Sequence, residues 1–154
     1  MPSPDRDARD ATHRFIEFLK QKRLKQTQQR MDVLRKLLSL QTHVNAEELF
    51  HALRKENPSI GYSTVYRTLK LLTECGIAKE NQFGDRITRY ESSFNRKHHD
   101  HIVCVECNEI YEFENEQIET LQREVAKNLG FQMLDHKLEI YGICKLCLRS
   151  KESL

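Results

Sequence analysis

No apolar run in this 154-residue sequence approaches the roughly 20 residues that a membrane-crossing helix needs. The first fourteen residues, MPSPDRDARDATHR, lack the apolar core of a secretory signal and carry alternating charges instead. Both absences argue against a membrane or exported protein and point to a cytoplasmic one. Internal repeats are missing too, and low-complexity sequence is confined to the first ten residues, so repeat architectures do not apply. Cysteine is scarce, at five residues. Cytoplasmic thiols stay reduced, so clustered cysteines there are metal ligands or redox groups rather than disulfides. What remains is ordinary: 38% hydrophobic and 31% charged residues, in a chain long enough for one large domain or two small ones.

The formal net charge of +2 conceals an asymmetry. Residues 1–95 hold 17 Lys/Arg against 12 Asp/Glu, a balance of +5, and residues 96–154 hold 8 against 11, a balance of −3. The basic half could face an anion such as DNA, although a solvated charged face accounts for it equally well. Residue chemistry divides at the same place, because four of five cysteines and four of seven histidines follow Lys97. The expected organisation is a disordered tail (1–10), a first domain (11–93), a hinge (94–98) and a second domain (99–154).

Apolar residues recur at helical spacing in the first domain. Phe15, Ile16, Phe18 and Leu19 mark a helix over residues 11–23. Thr27 can cap a second helix carrying Met31, Leu34, Leu37 and Leu38. Asn45 can cap a third, with Glu48 completing a capping box, and this helix must stop before Asn57-Pro58. Ser63 or Thr64 is read as the start of a fourth helix, with Val65, Leu69 and Leu72 inward and Gly76 as its stop. Two short runs around Gly84-Asp85 then read as a hairpin. Helices followed by a two-stranded hairpin form the pattern of a winged helix-turn-helix, whose last helix enters the major groove of DNA. The second domain reads strand, helix, strand: a strand region near residues 101–114 with a turn at Asn108, an amphipathic helix over 115–129, and a strand through residues 131–144.

Cys104 and Cys107, and Cys144 and Cys147, are two C-x2-C pairs. Each spacing lets a tight turn aim two thiolates at one tetrahedral ion, and two pairs close a four-sulfur shell of the kind that holds structural zinc. Such a site would tie the first strand to the chain's end in a small domain with little core of its own. The alternative is a redox dithiol, which sits on a strand-to-helix turn; neither pair is read on one. Cys75 reads as a small buried hydrophobe. His98-His99-Asp100-His101 leads into the first strand of the second domain. If extended, His99 and His101 share one face, and His98 and Asp100 the other. That arithmetic gives two separate nitrogen/oxygen sites suited to Fe(II), Zn, Mn or Co, with His43, Glu91, Glu112, Glu119 and His136 as available partners. A solvated polar linker is the plain alternative.

The motifs HVNAEELF (43–50), STVYRTLKLL (63–72), GDRITRYE (84–91), HHDHIVCVEC (98–107), IYEFE (110–114) and HKLEIYGICKLC (136–147) together resemble the ferric uptake regulator family of bacterial repressors. The resemblance covers about residues 14–150. It implies an α+β chain: an N-terminal winged helix-turn-helix domain followed by a small α/β dimerisation domain. It further implies a metal-dependent repressor rather than an enzyme, whose metal-loaded homodimer, or tetramer, binds AT-rich palindromic double-stranded DNA operators of metal-uptake genes.

The resemblance carries over residue by residue. It assigns structural Zn2+ to Cys104, Cys107, Cys144 and Cys147. It assigns the regulatory metal to His43, Glu91, His99, His101 and Glu112, and a second metal site to His98, Asp100, Glu119 and His136. Lys25, Arg30, Ser63, Thr64, Tyr66 and Arg67 match its DNA-binding positions. Fe2+ is the expected regulatory ion, replaceable by Mn2+, Co2+ or Zn2+. The peroxide-sensing branch carries Asp where Glu91 and Glu112 stand, and zinc-sensing members often place a cysteine in the sensor site, which has none here. A peroxide or zinc sensor of the same family is the first alternative. A zinc enzyme or thiol oxidoreductase is the second, and no substrate pocket is recognisable for it. Two departures stand out: Arg23 where relatives often have Gly, and Gln29 where some have Pro.

Overall fold

The computed structural model describes residues 4–40, 42–94 and 96–152. The chain divides into two compact units, Met1–Arg96 and Lys97–Leu154. Among the described residues no helix is long and apolar enough to cross a membrane.

The first unit contains helices α1 (Pro4–Gln21), α2 (Gln28–Ser39), α3 (Ala46–Glu56) and α4 (Tyr62–Glu74), with strands β1 (Val44–Asn45), β2 (Ala78–Gln82) and β3 (Thr88–Ser92). The expected tail over residues 1–10 is corrected in part: residues 4–10 are the first turns of α1, and residues 1–3 lie outside the described residues. Proline suits the first helical position, where its missing N–H is not needed. The helix is then held by a stripe at i, i+4 and i+8, because Ala11, Phe15 and Leu19 are all fully buried.

Thr27 caps α2 by accepting from the Arg30 amide, and Asn45 with Glu48 forms the capping box of α3. The fourth helix departs from expectation. It starts at Tyr62, Gly61 occupies the N-cap position, and no side chain caps it. Ser63 and Thr64 therefore lie in its first turn. The core joins Phe15, Leu19, Leu34, Leu37, Leu49, Leu53, Leu69 and Leu72, all at most 1% exposed. Each such side chain contributes roughly 1.5–3 kcal/mol by leaving water.

β2 and β3 form the antiparallel hairpin, with Glu80 opposite Tyr90. The two-residue β1, not anticipated from sequence, pairs with β3 through Val44 and Tyr90. A strand of two residues carries too little alternation to be read as one. Its consequence is local: it sets His43, the residue before it, beside Glu91 at the end of β3.

The second unit contains β4 (Asp100–Cys104), β5 (Ile110–Phe113), α5 (Glu116–Asn128), β6 (Glu139–Gly142) and α6 (Lys145–Glu152). β4 is central, antiparallel to β5 and parallel to β6. The expected strand over 131–144 is shorter than its alternation implied: only 139–142 pair, and residues 131–138 form no regular element. A strand exists only where it finds a ladder partner, and β4 begins at Asp100. The unit buries little apolar surface. Among the described residues α5 has no buried side chain, and Leu121, Val125 and Leu129 are 60%, 57% and 70% exposed.

Three helices end in the same Schellman turn, with the second residue beyond the cap donating to the carbonyl five residues back. Leu24 donates to Leu19, Ile77 to Leu72 and Phe131 to Ala126. The turn needs positive φ. Gly76 and Gly130 supply it at α4 and α5, but Arg23 does so at α1, with φ of 56°. This gives the Arg23 departure a physical meaning, since a side chain in that region is strained. Arg23→Gly is expected to raise stability by roughly 0.5–1 kcal/mol, the relief of strain exceeding the added freedom of the unfolded chain. Urea unfolding at constant metal loading checks it, and an unchanged or lower midpoint contradicts it.

Candidate metal centres and nucleic-acid interface

Parallel pairing of β4 with β6 puts Cys104 opposite Gly142, so both strands end at the same edge of the sheet. Each is followed at once by one C-x2-C turn. Asn108, with φ of 60°, reverses the first turn, and its amide donates to the Cys104 carbonyl at 2.9 Å. The second turn opens α6. Cys144 and Cys147 therefore do sit on a strand-to-helix turn, contrary to the reading from sequence, which had no sign of α6.

The second pair is not an isolated dithiol. The Cys104 and Cys147 sulfurs are 3.9 Å apart, as are those of Cys107 and Cys144, and all four lie within 4.8 Å of one another. A tetrahedral zinc with Zn–S bonds of about 2.3 Å needs sulfur separations of about 3.8 Å. The four residues fit a zinc ion. Electrostatics around the sulfurs are uneven. The amide of Cys144, donating at 3.2 Å, and then that of Cys107 draw the Cys104 thiol down to about 6. Hydrogen bonding to the Cys144 and Cys107 sulfurs pushes Cys147 up to about 12.

A second cluster lies in the same unit. His98 Nε2 is 3.3 Å from Asp100 Oδ1 and 3.5 Å from Glu119 Oε1; His136 Nε2 is 3.0 Å from the same Glu119 oxygen. The four ligand atoms lie within 4.8 Å of one another. Asp100 is 1% exposed, and its Oδ2 makes no hydrogen bond. A buried carboxylate with an unbonded oxygen is costly unless a cation stands beside it. This donor set therefore fits a nitrogen/oxygen-ligated metal. Asn115 positions Glu119 by capping α5, accepting from the amides of Gln117 and Ile118.

The remaining candidate ligands form one group in each unit. In the first, His43 Nε2 lies 3.5 Å from Glu91 Oε2, and both side chains are buried. Two neighbours that sequence reading did not single out hold Glu91. Asn81 Nδ2 donates to Oε1 at 2.8 Å, and the Arg96 guanidinium donates to Oε2 at 3.2 Å. No motif marks Asn81 or Arg96; only the fold of the hairpin reveals them. In the second unit, His99 Nε2 lies 3.7 Å from Glu112 Oε1, the rings of His99 and His101 meet edge to face at 5.0 Å, and His101 is paired in register with Glu112.

The exposed face of α4 carries Ser63, Tyr66 and Arg67, with Thr64 half-buried. Its first turn lacks a side-chain cap; the Thr64 amide donates to the Gly61 carbonyl at 3.1 Å, which leaves the Tyr62 and Ser63 amides to face an anion. Lys25 is exposed in the loop between α1 and α2. Arg30 supports that loop, its guanidinium donating to the Lys25 carbonyl.

A winged-helix unit with an exposed fourth helix, joined to a unit built around clustered metal ligands, defines the class of metal-responsive DNA-binding regulators. Residues 21–141 match the model of the Ferric uptake regulator family. The Ferric uptake regulation protein of Campylobacter jejuni is 39% identical over 140 residues, covering 90% of this chain and 88% of that protein. The Peroxide-responsive repressor PerR of Staphylococcus aureus is 36% identical over 132 residues, covering 86% and 88%. Among solved structures, the Helicobacter pylori ferric uptake regulator Fur, described as having three functional metal binding sites, superposes with a TM-score of 0.86 at 30% identity, covering 92% of this chain and 93% of that one. This chain belongs to the ferric uptake regulator family. It is a metal-responsive transcriptional repressor, not an enzyme, and regulators of this family bind DNA and act as dimers.

Zinc uptake requires thiolates, so at pH 7 the protonated Cys147 must lose its proton as the ion binds. Titrating zinc into metal-free protein in weak buffer at that pH is expected to release at least about one proton per ion. Affinity should fall as pH is lowered, because protons then compete for the sulfurs. Cys104→Ser is expected to remove the tightly held zinc, measured by metal analysis. Zinc content unchanged in that variant contradicts the four-sulfur site.

Proposed function

We propose that this protein senses Fe(II) and represses metal-uptake genes. In this reading His43, Glu91, His99, His101 and Glu112 hold the sensed ion, and Mn(II), Co(II) or Zn(II) can replace it. The observation that carries the proposal is the chemistry of these side chains: imidazole and carboxylate groups gathered in pairs, with no sulfur among them. Nitrogen/oxygen donors suit Fe(II), whereas thiolates would favour zinc or Cu(I). Because the five ligands come from both units, a bound ion limits the orientations the DNA-reading unit can take. Cys104, Cys107, Cys144 and Cys147 hold zinc that keeps the second unit folded. His98, Asp100, Glu119 and His136 hold a further ion.

The metal-loaded homodimer binds an AT-rich palindrome, α4 entering the major groove. Ser63 and Thr64 lie in the uncapped first turn and meet phosphate, and Tyr66 and Arg67 meet base edges. Lys25 reaches a phosphate or the minor groove, its loop held by Arg30. Protein and operator meet in the cytoplasm, and the exposed apolar side of α5 is covered within the dimer. The likeness to a peroxide-responsive repressor keeps a second reading, in which the Fe(II)-loaded protein releases DNA on exposure to peroxide. Glu91 and Glu112, where that branch carries Asp, favour the first.

Anaerobic titration of DNA binding with Fe(II), Mn(II) and Zn(II) tests the reading. Fe(II) or Mn(II) is expected to raise operator affinity by roughly 5- to 150-fold, the usual range for coupling between two sites. His99→Ala combined with His101→Ala should remove that gain while the cysteine-bound zinc remains. Equal binding with and without metal would sink the sensor.

The DNA contacts separate by their dependence on salt and sequence. Tyr66→Ala should weaken operator binding more than binding to random duplex. Lys25→Ala should weaken both and lower the slope of log affinity against log salt by about 1. A Lys25→Ala slope equal to the parent's removes Lys25 from the phosphate contacts.

A further inference from the structure

The fourth helix carries a second exposed aromatic ring that the reading above leaves unused. Tyr62 is the first residue of α4 and is 47% exposed; Tyr66, one turn further on, is 43% exposed. Residues four apart on a helix share a face. Their rings are almost parallel, at 15°, with centroids 6.5 Å apart, within the range of offset stacking.

Neither ring stands alone. Phe50 of α3 meets Tyr62 edge-on, at 5.8 Å and 87°, and the Arg54 guanidinium lies 5.6 Å from the Phe50 ring. The Lys70 ammonium lies 5.6 Å from the Tyr66 ring, held by its ion pair with Glu80 on β2. A row therefore runs from α3 across α4 to the hairpin: cation, ring, ring, ring, cation. Stacked rings and cations over ring faces each favour one geometry. An exposed tyrosine without such neighbours exchanges rotamers on a picosecond to nanosecond scale. Ordering it on DNA would then cost affinity.

We propose that Tyr62 is a positioning residue for operator recognition: clamped by Phe50, it holds the Tyr66 ring in the orientation from which that ring meets base edges. This rests on the reading of Tyr66 as a base-contacting residue. A residue placed only for stability would bury its ring, whereas Tyr62 leaves nearly half of its surface to solvent. The effect belongs to sequence-specific binding alone, because binding to random DNA is carried by phosphate contacts that do not need Tyr66.

The test compares the metal-loaded, full-length protein with its Tyr62→Ala, Tyr62→Phe, Tyr66→Ala and doubly substituted Tyr62→Ala/Tyr66→Ala forms. The probes are the AT-rich palindromic duplex that the protein selects from a random pool and a scrambled duplex, at one fixed salt concentration. Tyr62→Ala is expected to lower affinity for the selected duplex roughly three- to tenfold, the worth of one aromatic pair. Affinity for the scrambled duplex should stay at the parental value, and the melting temperature should fall only by the few degrees that lost aromatic pairing accounts for. Tyr62→Phe, which keeps the stacked ring, should restore selected-duplex affinity. The double variant should bind no more weakly than Tyr66→Ala, because Tyr62 acts through Tyr66.

Additive losses in the double variant would overturn the proposal, since Tyr62 would then act independently. Equal losses on both duplexes, or Tyr62→Phe as weak as Tyr62→Ala, would do the same. If Tyr66→Ala lowers selected-duplex affinity and Tyr62→Ala does not, only the proposal fails. If Tyr66→Ala leaves the ratio between duplexes unchanged, the base-contact reading fails first and takes the proposal with it.

Discussion

Four sulfur atoms lie within 4.8 Å of one another in the second unit, where a bound zinc would supply the closure that its hydrophobic core does not. The unit has a three-stranded sheet and a helix whose apolar residues face solvent. A unit of this size with so little buried apolar surface sits near the limit of independent stability. A zinc ion on these sulfurs would tie the turn after β4 to the turn after β6. It would thereby hold the parallel pairing that no short loop could enforce, since residues 105–138 intervene. β4 in turn carries Asp100 and His101, and its N-terminal approach carries His98 and His99. The geometry of the other ligands therefore depends on a site they do not belong to.

Buried ionisable groups recur through the metal-binding parts of the chain and follow one logic. Glu91 is buried with His43, Asn81 and Arg96 about it, and Asp100 is buried with His98 and His136. Burying a carboxylate is expensive, and these arrangements offset the expense with positive or polar neighbours. A divalent cation does so more completely. If these groups hold the ion as proposed, they trade stability of the metal-free chain for affinity toward it.

On the DNA-reading side, stability and recognition are kept apart on one helix. Val65, Leu69 and Leu72 are fully buried and anchor α4 in the core, while Tyr62, Tyr66 and Arg67 project from its exposed face. The missing cap at Gly61 belongs to the same division. In the proposed DNA complex, a side chain that satisfied the first-turn amides would compete with phosphate for them. Thr27 and Asn45, by contrast, cap α2 and α3 with their side chains.

Sequence alone determined the elements whose signals are local. Thr27 and Asn45 mark helix starts because a side-chain oxygen must meet an amide two or three residues on. Gly76 marks a stop because positive φ suits glycine. The C-x2-C pairs announce a tetrahedral ion through spacing, and the alternation of His98 to His101 follows from strand geometry. Signals that depend on a distant partner were not legible. β1 is a strand only because β3 lies beside it, and residues 131–137 fail to be one because β4, which begins at Asp100, offers them no ladder. The first turns of α1 looked like a tail because the surface that Ala11 covers comes from other helices. Asn81 and Arg96 acquire a role only once the hairpin delivers Glu91 to them, and Tyr62 only once Phe50 and Tyr66 flank it. Local chemistry repeats at fixed offsets and can be read along a chain. Contacts between distant residues depend on which surfaces pack together, and only the tertiary structure decides that.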